Sequence, residues 1–213
     1  KVIEYAAEKI RNVSLVSHSG AGKTTLSEAM MFVAGASHRL GKVDEGNTIS
    51  DFNKDEINRK ISINSSLMHL EWNKNKVNLI DNPGYIDFIG EVYGSLHVTE
   101  NAVLLVHSVS GVEVGTELYW NMIQEKGNSC IFFINQLDKE HADYDKVVEQ
   151  LKERMHHNAI PITLPIDPGM NFKGVIDLLT MKAVYFDPNS GKAEKKEIPA
   201  ELKDKAEEAR LEL

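Results

Sequence analysis

Cysteine is almost missing from this chain. Cys130 is the only one in 213 residues, so no intrachain disulfide can form. It sits in the apolar run Cys130-Ile131-Phe132-Phe133-Ile134, where a thiol reads as a small core residue rather than a reactive group. Long apolar runs are missing too. None approaches the ~20 residues that a bilayer span needs, which argues against a membrane protein. The opening Lys1-Val2-Ile3-Glu4-Tyr5 has no apolar stretch behind it, so no signal peptide is expected. Positive charge is scarce: 24 Lys and Arg stand against 32 Asp and Glu, a formal net charge of -8. A sequence-specific DNA binder would carry a basic face, so that class is set aside. His38, His69, His97, His107, His141, His156 and His157 show no metal-ligand spacing with other side chains. There is no internal repeat and no low-complexity tract. What remains is the composition of an ordinary soluble, cytoplasmic domain. With 42% apolar residues it can build one core and a small appendage.

The pattern along the chain is that of an α/β fold. Asn12 to Val16 is a short apolar stretch running into a glycine-rich turn, and Lys23 to Val33 carries Leu26, Ala29, Met30 and Val33 at helical spacing. Strand, glycine turn and helix in that order open a parallel sheet. A polar segment, Ala36 to Lys60, follows; a connector that long is usually functional or mobile. Ile61 to Trp72 and Lys76 to Ile80 read as two strands around the turn Asn73-Lys74-Asn75. Ala102 to Val106 and Ser129 to Ile134 are continuous apolar runs suited to strands buried on both faces. Val114 to Glu125 and Tyr144 to His156 read as helices, and Ile160 to Leu164 as a last short strand of the core. The character changes near Pro161, and Pro165, Pro168, Pro188 and Pro199 cluster from there on. Short strand-like pieces at Gly174 to Leu179 and Ala183 to Phe186 and a charged terminal helix, Pro199 to Leu213, suggest a separate subdomain. Residues 1–160 are therefore expected to form a core and 161–213 its edge plus a partial insertion. Trp72 and Trp120 read as packing groups, and Lys192 to Glu197 as solvated surface.

Three motifs carry chemistry. Ser17-His18-Ser19-Gly20-Ala21-Gly22-Lys23-Thr24 fits the phosphate-binding loop Gly-x4-Gly-Lys-Ser/Thr, with Ser17 at the first glycine position. In such a loop, backbone N–H groups from His18 to Thr25 face phosphate oxygens, and the helix adds its positive N-terminal end. Gly20 and Gly22 permit conformations barred to other residues. Lys23 would neutralise the β- and γ-phosphates, and the Thr24 hydroxyl is a hard ligand for Mg²⁺. The second motif is Asp81-Asn82-Pro83-Gly84 at the end of a strand. Asp81 would hold the metal through water, and the Gly84 N–H would sense a γ-phosphate. The third is Asn135-Gln136-Leu137-Asp138 after the strand ending at Ile134. A carboxylate there accepts both N1–H and N2–H of guanine; adenine leaves it unpaired, a basis for discrimination of as much as ~10⁴. A weaker fourth signal is Arg59-Lys60-Ile61-Ser62-Ile63, where Ser62 could complete the Mg²⁺ shell. Two rivals stand beside a GTPase: a module that senses GTP without hydrolysing it, and a phosphate-loop ATPase or small-molecule kinase. Asn135 and Asp138 argue against the latter.

The order and spacing of these motifs resemble elongation factor G. Arg59 to Ile63 is similar to that family's Arg-Gly-Ile-Thr-Ile, and Asp81 to Phe88 to its Asp-Thr-Pro-Gly-His-Val-Asp-Phe. Leu164-Pro165-Ile166 with Phe172 to Leu178 resembles the start of its inserted subdomain. The likeness runs from about Ile10 to Tyr185. It implies a P-loop GTPase fold: a mostly parallel six-stranded sheet with helices on both faces, plus the start of an inserted α+β subdomain. It also implies GTP/GDP and Mg²⁺ as ligands, and a cytoplasmic translation factor acting on the ribosome through the full-length protein. Further domains and a guanine-contacting Ser-Ala loop are implied as well, and neither is visible in this sequence; a longer parent protein is expected. Departures cluster at the site. Tyr85 stands where the family places the histidine that positions the attacking water. Gly20 replaces an Asp beside the phosphates, Gln136 replaces a Lys beneath the guanine ring, and Ser62 replaces Thr. They suggest a divergent second elongation factor G class. Lys23, Gly84 and Tyr85 are the expected catalytic groups.

Overall fold

A computed structural model describes residues 4–187 and 192–213; Pro188, one of the clustered prolines, lies outside them, as do the first three residues. The chain forms two compact units, Lys1–His107 with Glu113–Asn135, and Ser108–Val112 with Gln136–Leu213. No helix among the described residues is long and apolar enough to cross a membrane.

The first unit is built on a five-stranded sheet. In chain order its elements are β1 (Ile10–Ser17), α1 (Lys23–Val33), α2 (Lys54–Arg59), β2 (Ser66–Trp72), β3 (Asn75–Asp81), α3 (Ile89–Val98), β4 (Asn101–His107), α4 (Val114–Lys126) and β5 (Ser129–Asn135). The strand order is β2-β3-β1-β4-β5, with β2 antiparallel to β3 and every other neighbour parallel. Strand β1 therefore lies at the centre, and the turn that leaves it sits between the ends of β3 and β4. Alternation along β1 sends Leu15 and Val16 to opposite faces. Leu15 joins Met31, Met68, Leu70, Leu79 and Leu105 in one buried cluster, with Leu26 and Met30 packed against it. Helices α3 and α4 pack against β1, and α4 also packs against β4.

Several expectations shift here. The hairpin turn has two residues, not three: Asn73 and Lys74 take φ of 47° and 64°, and Asn75 already belongs to β3. Two left-handed residues are what a tight hairpin requires. Strand β2 begins at Ser66 rather than Ile61. The polar segment is not all loop, since α2 forms inside it. Val33, expected on the apolar face of α1, is exposed, and Met31 takes the buried place. Trp72 is 51% exposed and does not serve as a packing group, whereas Trp120 is buried with its ring 5.1 Å from Phe132. Strand β5 is an edge strand among the described residues, and Ile131 and Phe133 are exposed on it. Cys130 is half-buried on that strand, and burial pushes its thiol up to about 12.

The second unit holds α5 (Tyr144–Arg154), β6 (Thr163–Ile166), β7 (Gly174–Asp177), β8 (Lys182–Phe186), β9 (Ala193–Lys196) and α6 (Lys203–Leu211). The expected sixth core strand is the element that moves. It starts at Thr163, and it pairs antiparallel with β7 at the edge of a separate sheet ordered β6-β7-β8-β9. Pro165 lacks an N–H, so this strand can offer a full ladder on one side only. That side is used by β7, where Leu164 faces Ile176 and both are buried. The Tyr144 hydroxyl on α5 donates to the Thr163 carbonyl at 2.8 Å. Strand β9 falls in the run expected as solvated surface; it is a strand, and all four of its residues are exposed.

Candidate functional site

Strand β1 ends at Ser17 and α1 begins at Lys23, so residues 18–22 make the turn between them. Gly20 and Gly22 have φ of 83° and 91°, the left-handed region in which a Cβ is strained. This geometry matches what the glycine spacing requires. The Lys23 side chain is 6% exposed. Its Nζ donates to Ser17 Oγ at 2.8 Å and reaches the Ser17 carbonyl at 3.4 Å. Ser17, legible in the sequence only as a replaced glycine, thus supplies two oxygens to the buried ammonium. Burial pulls Lys23 down to about 8, against the attraction of Asp81 and Asp51.

The end of β3 places Asp81 beside the first turn of α1. Asp81 is fully buried. Its Oδ2 accepts from Thr24 Oγ1 at 2.8 Å and lies 3.5 Å from Ser27 Oγ. Its Oδ1 is buried without a hydrogen-bond partner. Burial pushes the Asp81 carboxyl up to about 6, with Lys23 and the Thr24 hydroxyl pulling the other way. Thr24 Oγ1 also lies 3.2 Å from Ser62 Oγ. Thr24, Ser62 and Asp81 are far apart in sequence and converge here. Two hydroxyls and a carboxylate are a hard oxygen set, and the unsatisfied Asp81 oxygen is a place for a divalent cation. The residues present therefore fit Mg²⁺. Asp51, missed in the sequence, joins them: it is 5% exposed, burial raises its carboxyl, and a hydrogen bond with Ser62 opposes that rise.

Gly84 lies against the glycine turn. A Cβ there would sit 2.6 Å from Lys23 Nζ and 2.9 Å from Ser19 Cα. Its carbonyl accepts from the hydroxyl of the fully buried Tyr119 on α4 at 3.3 Å. Tyr85, next along, is 42% exposed. Thr25 is exposed on the first turn of α1. The His18 ring faces the start of α4: Nε2 is 3.7 Å from a Glu113 carboxylate oxygen, and Gly115 has no room for a Cβ against the ring. His18 therefore meets the turn as backbone, while its side chain packs on a neighbouring element.

Residues 36–65 are held by carboxylates that no motif singles out. Glu28 on α1 is 1% exposed and accepts from the Gly41 and Ile49 N–H groups at 3.1 and 2.5 Å. Glu56 on α2, equally buried, accepts from the Ile63 and Asn64 N–H groups at 3.0 and 3.1 Å and from Asn53 Nδ2 at 2.9 Å. Burial works against the Glu56 charge, but these donors outweigh it and hold its carboxyl below the ordinary value. Ser62 sits just inside this pinned stretch.

At the end of β5, Asn135 Nδ2 donates to the Ala21 carbonyl at 2.8 Å and ties that strand to the glycine turn. Gln136 and Asp138 fall in the second unit. Gln136 takes φ of 61°, and its carbonyl accepts from Ser108 Oγ at 2.6 Å. Asp138 is exposed in the turn that follows, where the Leu137 carbonyl accepts from Gly169 N at 2.7 Å.

The profile of the elongation factor Tu GTP-binding domain matches residues 8–207. The chain belongs to that family. Elongation factor G of Gluconobacter oxydans (strain 621H) is 41% identical over 207 residues, covering 96% of this chain and 30% of that protein. Elongation factor G of Chlamydia caviae is 41% identical over 212 residues, covering 99% of this chain and again 30% of the relative. A crystal structure from Thermus thermophilus superposes with a TM-score of 0.90 at 34% identity, over 96% of this chain and 30% of that one. The chain thus spans under a third of the length of the curated relatives it matches. The parallel-rich sheet with a glycine turn ahead of α1 is the P-loop GTPase fold that this GTP-binding domain family shares.

Proposed function

We propose that this chain binds GTP and GDP with Mg²⁺ and hydrolyses GTP, as the switch domain of a cytoplasmic elongation factor G-like protein that acts on the ribosome. The observation that carries this reading is the convergence of Thr24, Ser62 and Asp81 beside the buried Lys23 ammonium. Residues 18–25 cradle the phosphates with backbone N–H groups. Lys23 offsets charge on the β- and γ-phosphates. Thr24 and Ser62 would bind Mg²⁺ directly and Asp81 through water; the ion supplies charge neutralisation at the phosphates. Gly84, packed against Ser19, is the group that meets a γ-phosphate. Asp138 and Asn135 read guanine. Gln136 lies where the family places a lysine. Tyr85 is the candidate for orienting the attacking water. A phenol with a pKa of ~10 orients water by hydrogen bonding rather than by taking its proton. Unassisted turnover is then slow, on the order of 10⁻⁴ s⁻¹, and the ribosome is the activator. Residues 161–213 are read as the start of an inserted subdomain, a reading supported by the antiparallel sheet that begins at Thr163.

Hydrolysis by the full-length protein, measured with and without ribosomes, tests the enzymatic half of this reading. Stimulation is the expected result. No stimulation at all would leave a nucleotide-sensing module. A titration of this chain with GTP, GDP and ATP tests the other half, and ATP bound as tightly as GTP would overturn the guanine assignment.

A further inference from the structure

We infer that Asn82 is a positioning residue that links the segment carrying Ser62 to the loop carrying Gly84; this rests on the nucleotide reading above. Asn82 is fully buried immediately after Asp81. Its amide spans two elements at once. Nδ2 donates to the Leu15 carbonyl on β1 at 2.9 Å, and Oδ1 accepts from Ser65 Oγ at 2.7 Å. The backbone of Ser65 is held from the other side: its N–H donates to Glu91 Oε2 on α3 at 2.8 Å. Ser65 is therefore clamped between the two ends of the 82–91 stretch, three residues beyond Ser62.

An amide suits this reach. A donor and an acceptor on one planar group let Asn82 satisfy a β1 carbonyl and a hydroxyl from residues 61–66 together. A threonine, the residue that the elongation factor G pattern has here, brings a single hydroxyl. With the clamp closed, Ser62 Oγ stands 3.2 Å from Thr24 Oγ1. The clamp thus holds an arrangement in which Ser62 could reach a metal that Thr24 also holds. In a switch domain of the kind proposed above, such a contact is made with GTP and released with GDP. The clamp therefore acts on GTP affinity and leaves GDP affinity alone.

Asn82→Leu removes these two bonds, and a longer one from Nδ2 to the Ile80 carbonyl at 3.4 Å, in a side chain of similar size, and Ser65→Ala removes one from a half-buried position. Should Asn82→Leu fail to fold, Ser65→Ala carries the test. Titrations with GDP and with a non-hydrolysable GTP analogue, in Mg²⁺, read the outcome. Each variant is expected to weaken the analogue about 5- to 10-fold, the worth of one to two hydrogen bonds, with GDP changed by less than about twofold. Ser65→Thr, which keeps the hydroxyl, restores the wild-type preference. Amide exchange of residues 61–66 in the analogue complex rises in the weakened variants. Equal losses for both nucleotides would make Asn82 a merely structural residue and overturn the inference, as would no loss for either. Failure of the wild-type chain to bind GDP would instead remove the nucleotide reading itself.

Discussion

Ser17 and Lys23 show how one side chain alters the character of a phosphate loop. The ammonium is buried, and the Ser17 hydroxyl is its nearest oxygen. Ser17→Ala takes an acceptor from a buried cation, a loss of roughly 1.5–3 kcal/mol. Urea unfolding of the nucleotide-free protein should show it, and bound GDP should shrink it, because phosphate oxygens then take over the ammonium. Gly84→Ala acts on the same spot by a different route. The added Cβ meets Ser19 Cα, which is backbone and cannot swing aside as the Lys23 tip can. The 84 loop must retreat, and GTP-analogue binding is expected to weaken about tenfold or more while GDP binding changes little, as read by competition titration. Tyr85 is exposed, and its hydroxyl is the only group it can bring to a water. Ribosome-stimulated turnover should rise in Tyr85→His; if Tyr85→His is slower than wild type, the phenol has a role that histidine does not replace. The motif residues were readable in the sequence because fixed spacing marks them. The roles of Ser17, Asp51 and Asn82 were not, since they come from strands and loops meeting in space.

At the scale of elements, α1 and the β2–β3 hairpin were legible, and α2 and β6 were not. The limits of α1 follow from a glycine turn on one side and helical spacing on the other, and the structure places it at Lys23–Val33 as expected. Helix α2 has no apolar face to announce it. It is stabilised by Asn53 at its start and by Glu56, whose carboxylate gathers N–H groups from Ile63 and Asn64. Strand β6 shows a different limit: a short apolar run says strand but not which sheet. Glu56 also gives α2 a pH dependence of known sign. Its folded-state pKa lies below the ordinary 4.5. Its stabilising contribution is therefore complete above that value and is lost as pH falls through the folded-state value. Protection of the Ile63 and Asn64 amides should drop in that acid range beyond the intrinsic exchange rate. Glu56→Gln should abolish the dependence and expose residues 61–65 at neutral pH.

For the molecule as a whole, a ligand that binds only the folded state must stabilise it. GDP with Mg²⁺ at about 100 times its dissociation constant should add about 2.7 kcal/mol. The melting temperature should rise with GDP and fall back when the metal is chelated, and ATP at the same concentration should leave it unchanged. An equal rise with ATP would count against a guanine site. The half-buried Cys130 has a practical consequence for all such work. With its thiol pushed up to about 12, almost none of it is ionised near neutrality. Maleimide dyes should pass over the native sulfur, so a fluorophore could be attached at a single engineered cysteine between residues 36 and 60 without first mutating the wild-type background.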